Sequence, residues 1–246
     1  DNNSIPFEEL PTAKSLTANW LLQFNLFLKR ETLSKIRDRE FFGFAFLIPI
    51  LMAILVSFFG KYFETTEYGT RIYSFYENTN IPIFFLMSIL ANLFVGMIIT
   101  SDSIIKDAKI LKRESFLFLS RSSYINSKVV FFLILSLIQS FIFTLITWGI
   151  LQFHGMFIAL WLVLFLMSIF GNISGLIIST LFKSSSAAYI IVPFLIIPQI
   201  IFSGIVIPFD KLNFNITNPK NVPLIGNITL SRWGVEALLV KQYKDN

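Results

Sequence analysis

The sequence predicts an all-α, polytopic transmembrane helical bundle, and three observations carry that prediction. Of 246 residues, 54% are hydrophobic and 14% charged, with a mean hydropathy of +0.70. A soluble domain carries nearer a quarter charged residues. Five apolar stretches, 41–59, 81–100, 129–151, 156–182 and 187–209, contain no Asp, Glu, Lys, Arg or His. Each is close to or above the roughly 20 residues that cross a hydrocarbon core. The last of them carries Pro193, Pro198, Gly204 and Pro208. Backbone groups freed by such breaks survive in lipid only against protein or a water-filled cavity. That stretch therefore reads either as a broken helix facing a pathway or as a kink inside an ordinary bundle.

Composition also excludes. The chain has no Cys and a single His, His154. Disulfides, thiolate metal sites, cysteine nucleophiles and any mechanism needing two histidines fall away. No G-x-x-x-x-G-K-[ST] motif occurs, so no nucleotide site of that type lies within these residues.

In chain order, 1–16 is polar, contains Pro6 and Pro11, and begins with Asp, which reads as a linker arriving from something upstream. Residues 17–40 place Trp20, Phe24, Phe27 and Leu28 at helical spacing, with Lys29, Arg30, Lys35, Arg37 and Arg39 at other positions. This predicts an amphipathic helix of the kind that lies at a membrane surface or packs on a neighbour. Span one follows at 41–59, a polar loop at 60–80, and span two at 81–100. Residues 101–128 are polar and basic. Spans three and four, 129–151 and 156–182, are joined by a short turn, and span five occupies 187–209. Residues 210–246 form an external segment whose part 227–240 is partly apolar and too short to span. The expected sixth span lies beyond Asn246.

Lys and Arg orient the bundle. With a cytoplasmic N-terminus the inner segments carry thirteen and the outer segments seven, which satisfies the positive-inside rule. The predicted location is a plasma or bacterial inner membrane. Within span four, Gly171, Gly175 and Ser179 lie four apart on one face, a stripe that permits close backbone approach.

The apolar spans limit the chemistry. Ion-coupled transporters and voltage sensors place ionisable groups in the membrane interior, and these spans have none, so the chain is not expected to power transport itself. An intramembrane serine protease centred on Ser174 would need a base nearby. His154 lies 20 residues away in a turn, about 30 Å along a helix. No catalytic site is read in these residues. The informative polar segment is 101–128, where Ile104, Ala108 and Leu111 form one face of a short helix and Lys106, Lys109, Lys112 and Arg113 lie elsewhere. Such a helix can dock on a partner or on anionic lipid.

Four stretches in register carry a resemblance. Lys106–Lys128, KDAKILKRESFLFLSRSSYINSK, resembles the segment after the second span of G-subfamily-like ABC exporters, of the ABC2-membrane, type V family. Residues 23–38, QFNLFLKRETLSKIRD, look like their connecting helix. Phe202-Ser203-Gly204 before Pro208 looks like the end of their fifth span, and residues 231–238, SRWGVEAL, resemble their external re-entrant element.

The resemblance implies an N-terminal amphipathic connecting helix at 17–40, a cytoplasmic coupling helix at about 103–118 and an external re-entrant element. It implies a nucleotide-binding domain, fused upstream or separate, that holds the ATP and Mg, and a second transmembrane half, identical or closely related. Coupling to that ATPase falls on Lys106, Asp107, Lys109, Leu111, Lys112, Arg113 and Glu114. Asn92 matches a polar pocket position. Val95 stands where some drug exporters carry a stacking aromatic, with Phe94 adjacent, and Ile197 and Ile200 match pocket-lining positions. Ile205 and Val206 match an apolar valve.

The expected function is the permease part of an ATP-driven exporter of a lipid, sterol-like molecule or drug. The alternatives are export of a lipid-linked glycan or polymer, and a non-transporting anchor or scaffold subunit. Membrane lipid is an expected partner and nucleic acid is not.

Overall fold

A computed structural model of the chain describes residues 19–65, 71–75, 78–114, 119–212 and 223–244. The architecture is all-helical apart from a two-residue antiparallel pairing, β1 (Glu64–Thr65) with β2 (Arg71–Ile72). The helices in order are α1 (Trp20–Arg37), α2 (Arg39–Gly60), α3 (Ile81–Thr100), α4 (Ser103–Glu114), α5 (Arg121–Leu151), α6 (Phe157–Leu181), α7 (Ser185–Ile201), α8 (Leu224–Ile228) and α9 (Leu230–Lys244). Four of the described helices, the ones containing α2, α3, α5 and α6, are long and apolar enough to cross a membrane. The protein is an integral membrane protein.

Helix boundaries follow from local chemistry. The Asp38 carboxylate accepts from the Phe41 N–H at 3.0 Å and starts α2. Inside α2, Pro49 cannot donate to Ala45 four residues back. The freed Ala45 carbonyl accepts instead from Gln139 Nε2 of α5, at 2.5 Å. An interior proline is thus satisfied by a neighbouring helix, as a dry environment requires.

The core is organised around α3, which is buried along most of its length against α2, α6, α7 and α9. Phe84, Phe85, Leu86 and Ile89 centre the main apolar cluster, which Leu164, Val235 and Leu238 complete. Helix α6 meets α3 backbone to backbone. A methyl added at Gly175 would lie 2.5 Å from the Met97 carbonyl oxygen and would also strike Thr100, and one at Gly171 would strike the Leu93 carbonyl. Thr100 Oγ1 donates to the Asn172 carbonyl at 3.0 Å across that contact. Ser179, the third residue of the small stripe, accepts from the N–H groups of Ile104 and Ile105 at 2.9 and 3.2 Å and so caps α4.

Two expectations meet a different geometry. The third apolar helix begins at Arg121 rather than 129, so it includes Arg121 and Lys128. At 31 residues it is about 46 Å long, well beyond a hydrocarbon core of about 30 Å, and its first turns extend past the bilayer. The fifth apolar stretch is helical only over Ser185–Ile201, 17 residues or about 26 Å. It ends because Gly204 takes a φ of +78° and the chain turns over the Phe209 ring. The expected coupling helix is described as helical over Ser103–Glu114, and its remaining residues, 115–118, lie outside the described residues. Residues 1–18, and most of 210–222, also lie outside them.

Past that turn, α9 packs into the bundle end opposite α4. Gly234 lies against Ile89 and Met167, eight and ten residues inside α3 and α6, a depth of about 12–15 Å. Gln199 fastens the two pieces. Its side-chain oxygen accepts from the Ser231 N–H at 3.0 Å, and its carbonyl accepts from Ser231 Oγ at 2.6 Å.

Candidate functional site

At the end of the bundle that carries α4, α1 runs beside the projecting turns of α5 in constant register. Gln23 Oε1 accepts from the Ser120 N–H at 2.7 Å, and Glu31 meets Lys128, each pair 97 residues apart. Phe27 lies between them, edge-on to Tyr124 with centroids 5.6 Å apart. Gln23, Phe27 and Glu31 are the buried residues of α1, one per turn.

Lys128 is the centre. Its side chain is 1% exposed. Its ammonium donates to Glu31 Oε2 at 2.8 Å and to Ser103 Oγ at 2.8 Å, and it pairs with Asp107 Oδ2 at 2.9 Å. Three partners use all three N–H donors of a lysine. Tyr124 OH donates to the same Asp107 oxygen at 2.8 Å. A buried ammonium is tolerated only when paired and hydrogen-bonded, and here its partners come from α1 and α4. One polar group is left over: Glu31 Oε1 is buried with no hydrogen-bond partner among the described residues.

Beside this cluster, Lys35 places its ammonium over the Phe41 ring, 4.3 Å from the centroid. Burial pushes its pKa below the ordinary lysine value, and Glu31 opposes that shift. Asp102 and Lys106 form a further pair at 2.6 Å.

The residues expected to couple to an ATPase are spread over α4. Asp107 enters the Lys128 cluster and Lys106 pairs with Asp102. Lys109 and Arg113 are exposed. Leu111 and Lys112 line a recess of about 520 Å³ that also borders Phe27, Tyr124 and Arg121. Glu114 is the last described residue of α4.

The expected substrate residues occupy different environments within one chain. Asn92 is buried, and its Nδ2 donates to the Ser88 carbonyl of its own helix at 2.9 Å. Val95 is buried with Ala45 and Phe132. Phe94 is half-buried against the α3–α6–α7 cluster. Ile197 is 48% exposed, and Ile200 packs on the main core. Of the expected valve, Ile205 packs on that core and Val206 is 51% exposed.

Sequence reasoning missed Glu31 and Lys128. Glu31 is surrounded by basic residues, although Gln23, Phe27 and Glu31 follow one another at four-residue spacing, which was a signal. Lys128 looked like the end of a polar loop.

No curated protein was found to match the sequence. The family model described as ABC-2 type transporter matches residues 22–243, from the first turn of α1 to the last turn of α9. The chain therefore belongs to the ABC-2 type transporter membrane family, as a permease component of an ABC transporter.

Proposed function

We propose that this permease is one half of an ATP-driven exporter that moves an amphipathic or hydrophobic molecule, a lipid, sterol-like compound or drug, out of the membrane's inner side. The observation that carries the proposal is the Lys128 cluster, which binds α1, α4 and α5 into one body through three partners of a single ammonium. A force applied to α4 reaches α5 through Asp107 and Ser103, and reaches α1 through Glu31. Nucleotide and Mg belong to an ATP-binding partner domain, because no phosphate-binding Gly-Lys-Ser/Thr loop occurs in this sequence. The N-terminus and α4 face the cytoplasm, where that domain docks on the exposed side of α4.

Two halves pair with the substrate between them. The exposed apolar residues of α7, among them Tyr189, Phe194 and Ile197, supply a surface of the right chemistry. The break after Ile201 supports an outward valve at Ile205 and Val206. There the chain is held by the Ser231–Gln199 bonds and by Thr229 Oγ1 donating to the Phe202 carbonyl at 3.3 Å.

The test is ATP hydrolysis by the assembled protein in nanodiscs, titrated with sterols, phospholipids and lipophilic drugs. Stimulation by one class, together with substrate release altered by Ile205→Ala, supports export of that class. A flat response across all classes favours a scaffold and overturns the reading.

A further inference from the structure

A second surface lies outside the Lys128 cluster and away from α7. Between α1, α2 and α5 runs an open groove of about 260 Å³. Its walls include Phe42, Phe46, Phe131 and Ile134, and among the described residues the polar ones lining it are Thr32 and Lys35. Phe42 and Ile134 are about half exposed, so the groove opens outward rather than into the core. Its level is set by α5. Lys128 stands seven residues, about 10 Å, from the helix start, while Ile134 and Ile138 lie about 20–25 Å in. The projecting part of that helix is about 16 Å. Lys35, at the end of α1, is therefore near the polar boundary, and the apolar walls below it lie within the hydrocarbon.

Lys35 differs from the cations around it. Lys106 and Lys128 are held in ion pairs, whereas the Lys35 ammonium rests on an aromatic ring. A ring face leaves N–H donors free for a phosphate oxygen. A desolvated cation above an apolar channel is the complement of a phosphate above an acyl chain.

We propose that this groove binds an anionic phospholipid, its phosphate on Lys35 and an acyl chain along Phe42, Phe46, Phe131 and Ile134. The lipid bridges α1, α2 and α5 at the joint where the chain bends at Asp38. The site is separate from any transported cargo, and its occupancy does not depend on the export reading.

The full-length protein, in mixed phosphatidylglycerol–phosphatidylcholine nanodiscs, is released into detergent and its retained lipids are counted by native mass spectrometry. The wild type is expected to retain phosphatidylglycerol over phosphatidylcholine. Lys35→Met keeps the apolar stem and loses the charge, and should lower retention about fivefold. Ile134→Trp leaves Lys35 intact, fills the groove and should lower it as well. Equal retention of the two lipids by the wild type overturns the proposal, which keeps it decidable even if a variant does not fold. So does unchanged retention in a folded Lys35→Met or Ile134→Trp protein. Displacement of the bound lipid by inorganic phosphate alone would reduce the site to a surface anion site and overturn it too.

Discussion

Where α3 meets α6, helices are joined by glycines and one uncharged hydrogen bond; where α1, α4 and α5 meet, they are joined by two carboxylates around one lysine. The first contact is made of backbone. Gly171 and Gly175 let α6 approach the Leu93 and Met97 carbonyls, and Thr100 Oγ1 donates to the Asn172 carbonyl at 3.0 Å. Such a contact has one arrangement, because dense packing leaves no alternative partner. The second contact is made of side-chain tips, and Glu31 Oε1 has an unused acceptor beside it. Charged groups in that position can exchange partners when α4 shifts. In the proposed exporter, the interior would serve as the rigid lever and the charged end would receive the motion.

The largest effect should come from removing the cation. Lys128→Met leaves the buried Glu31 and the half-buried Asp107 without a counter-charge, and should destabilise the protein by about 3–5 kcal/mol. Thermal melting in nanodiscs measures it. Adding Glu31→Gln and Asp107→Asn should restore most of the stability while ATP hydrolysis stays insensitive to substrate. A Lys128→Met protein that melts like the wild type would mean the cluster is hydrated and carries no joint.

A smaller loss is expected at the uncharged contact. Gly175→Ala places a methyl against the Met97 carbonyl, and the helices must separate, at about 1–3 kcal/mol. This loss should be the same at low and high salt. An unchanged melting temperature would show that α3 and α6 have slack there.

The two regions were unequally legible in the sequence. Glycines and a serine at four-residue spacing announced a close approach because helix geometry alone puts them on one face. Apolar runs announced the helices because bilayer thickness dictates length. The charged joint is a pairing of residues 97 apart, and no local period reports which carboxylate a lysine will meet. Its position inside α5 was hidden by the mostly polar residues 121–128, which are helical because Ser120 caps them, with the Ser123 N–H donating to Ser120 Oγ at 3.3 Å. The end of α7 was half legible. Pro193, Pro198 and Gly204 marked a break, but only the Gln199–Ser231 bonds fix where the freed groups go. Asn92 reads as a buried amide that needs a partner from another helix or a substrate, and one of its amide N–H groups bonds one turn back on α3.

The smallest effect separates the two lysine–aspartate pairs of the same end. Lys106 and Lys128 each lie within 3 Å of an aspartate oxygen, so distance does not distinguish them. Exposure of the lysine does: the Lys106 side chain is 61% exposed and that of Lys128 is 1%, while the aspartates reverse the order, Asp102 at 6% and Asp107 at 22%. Water and salt screen the first pair, which as an (i, i+4) contact contributes at most about 1 kcal/mol. Lys106→Ala should therefore shift the melting temperature slightly, and the shift should fade at high salt. A loss on the scale of Lys128→Met would mean that the buried Asp102 carboxylate depends on Lys106 for its counter-charge as Glu31 does on Lys128.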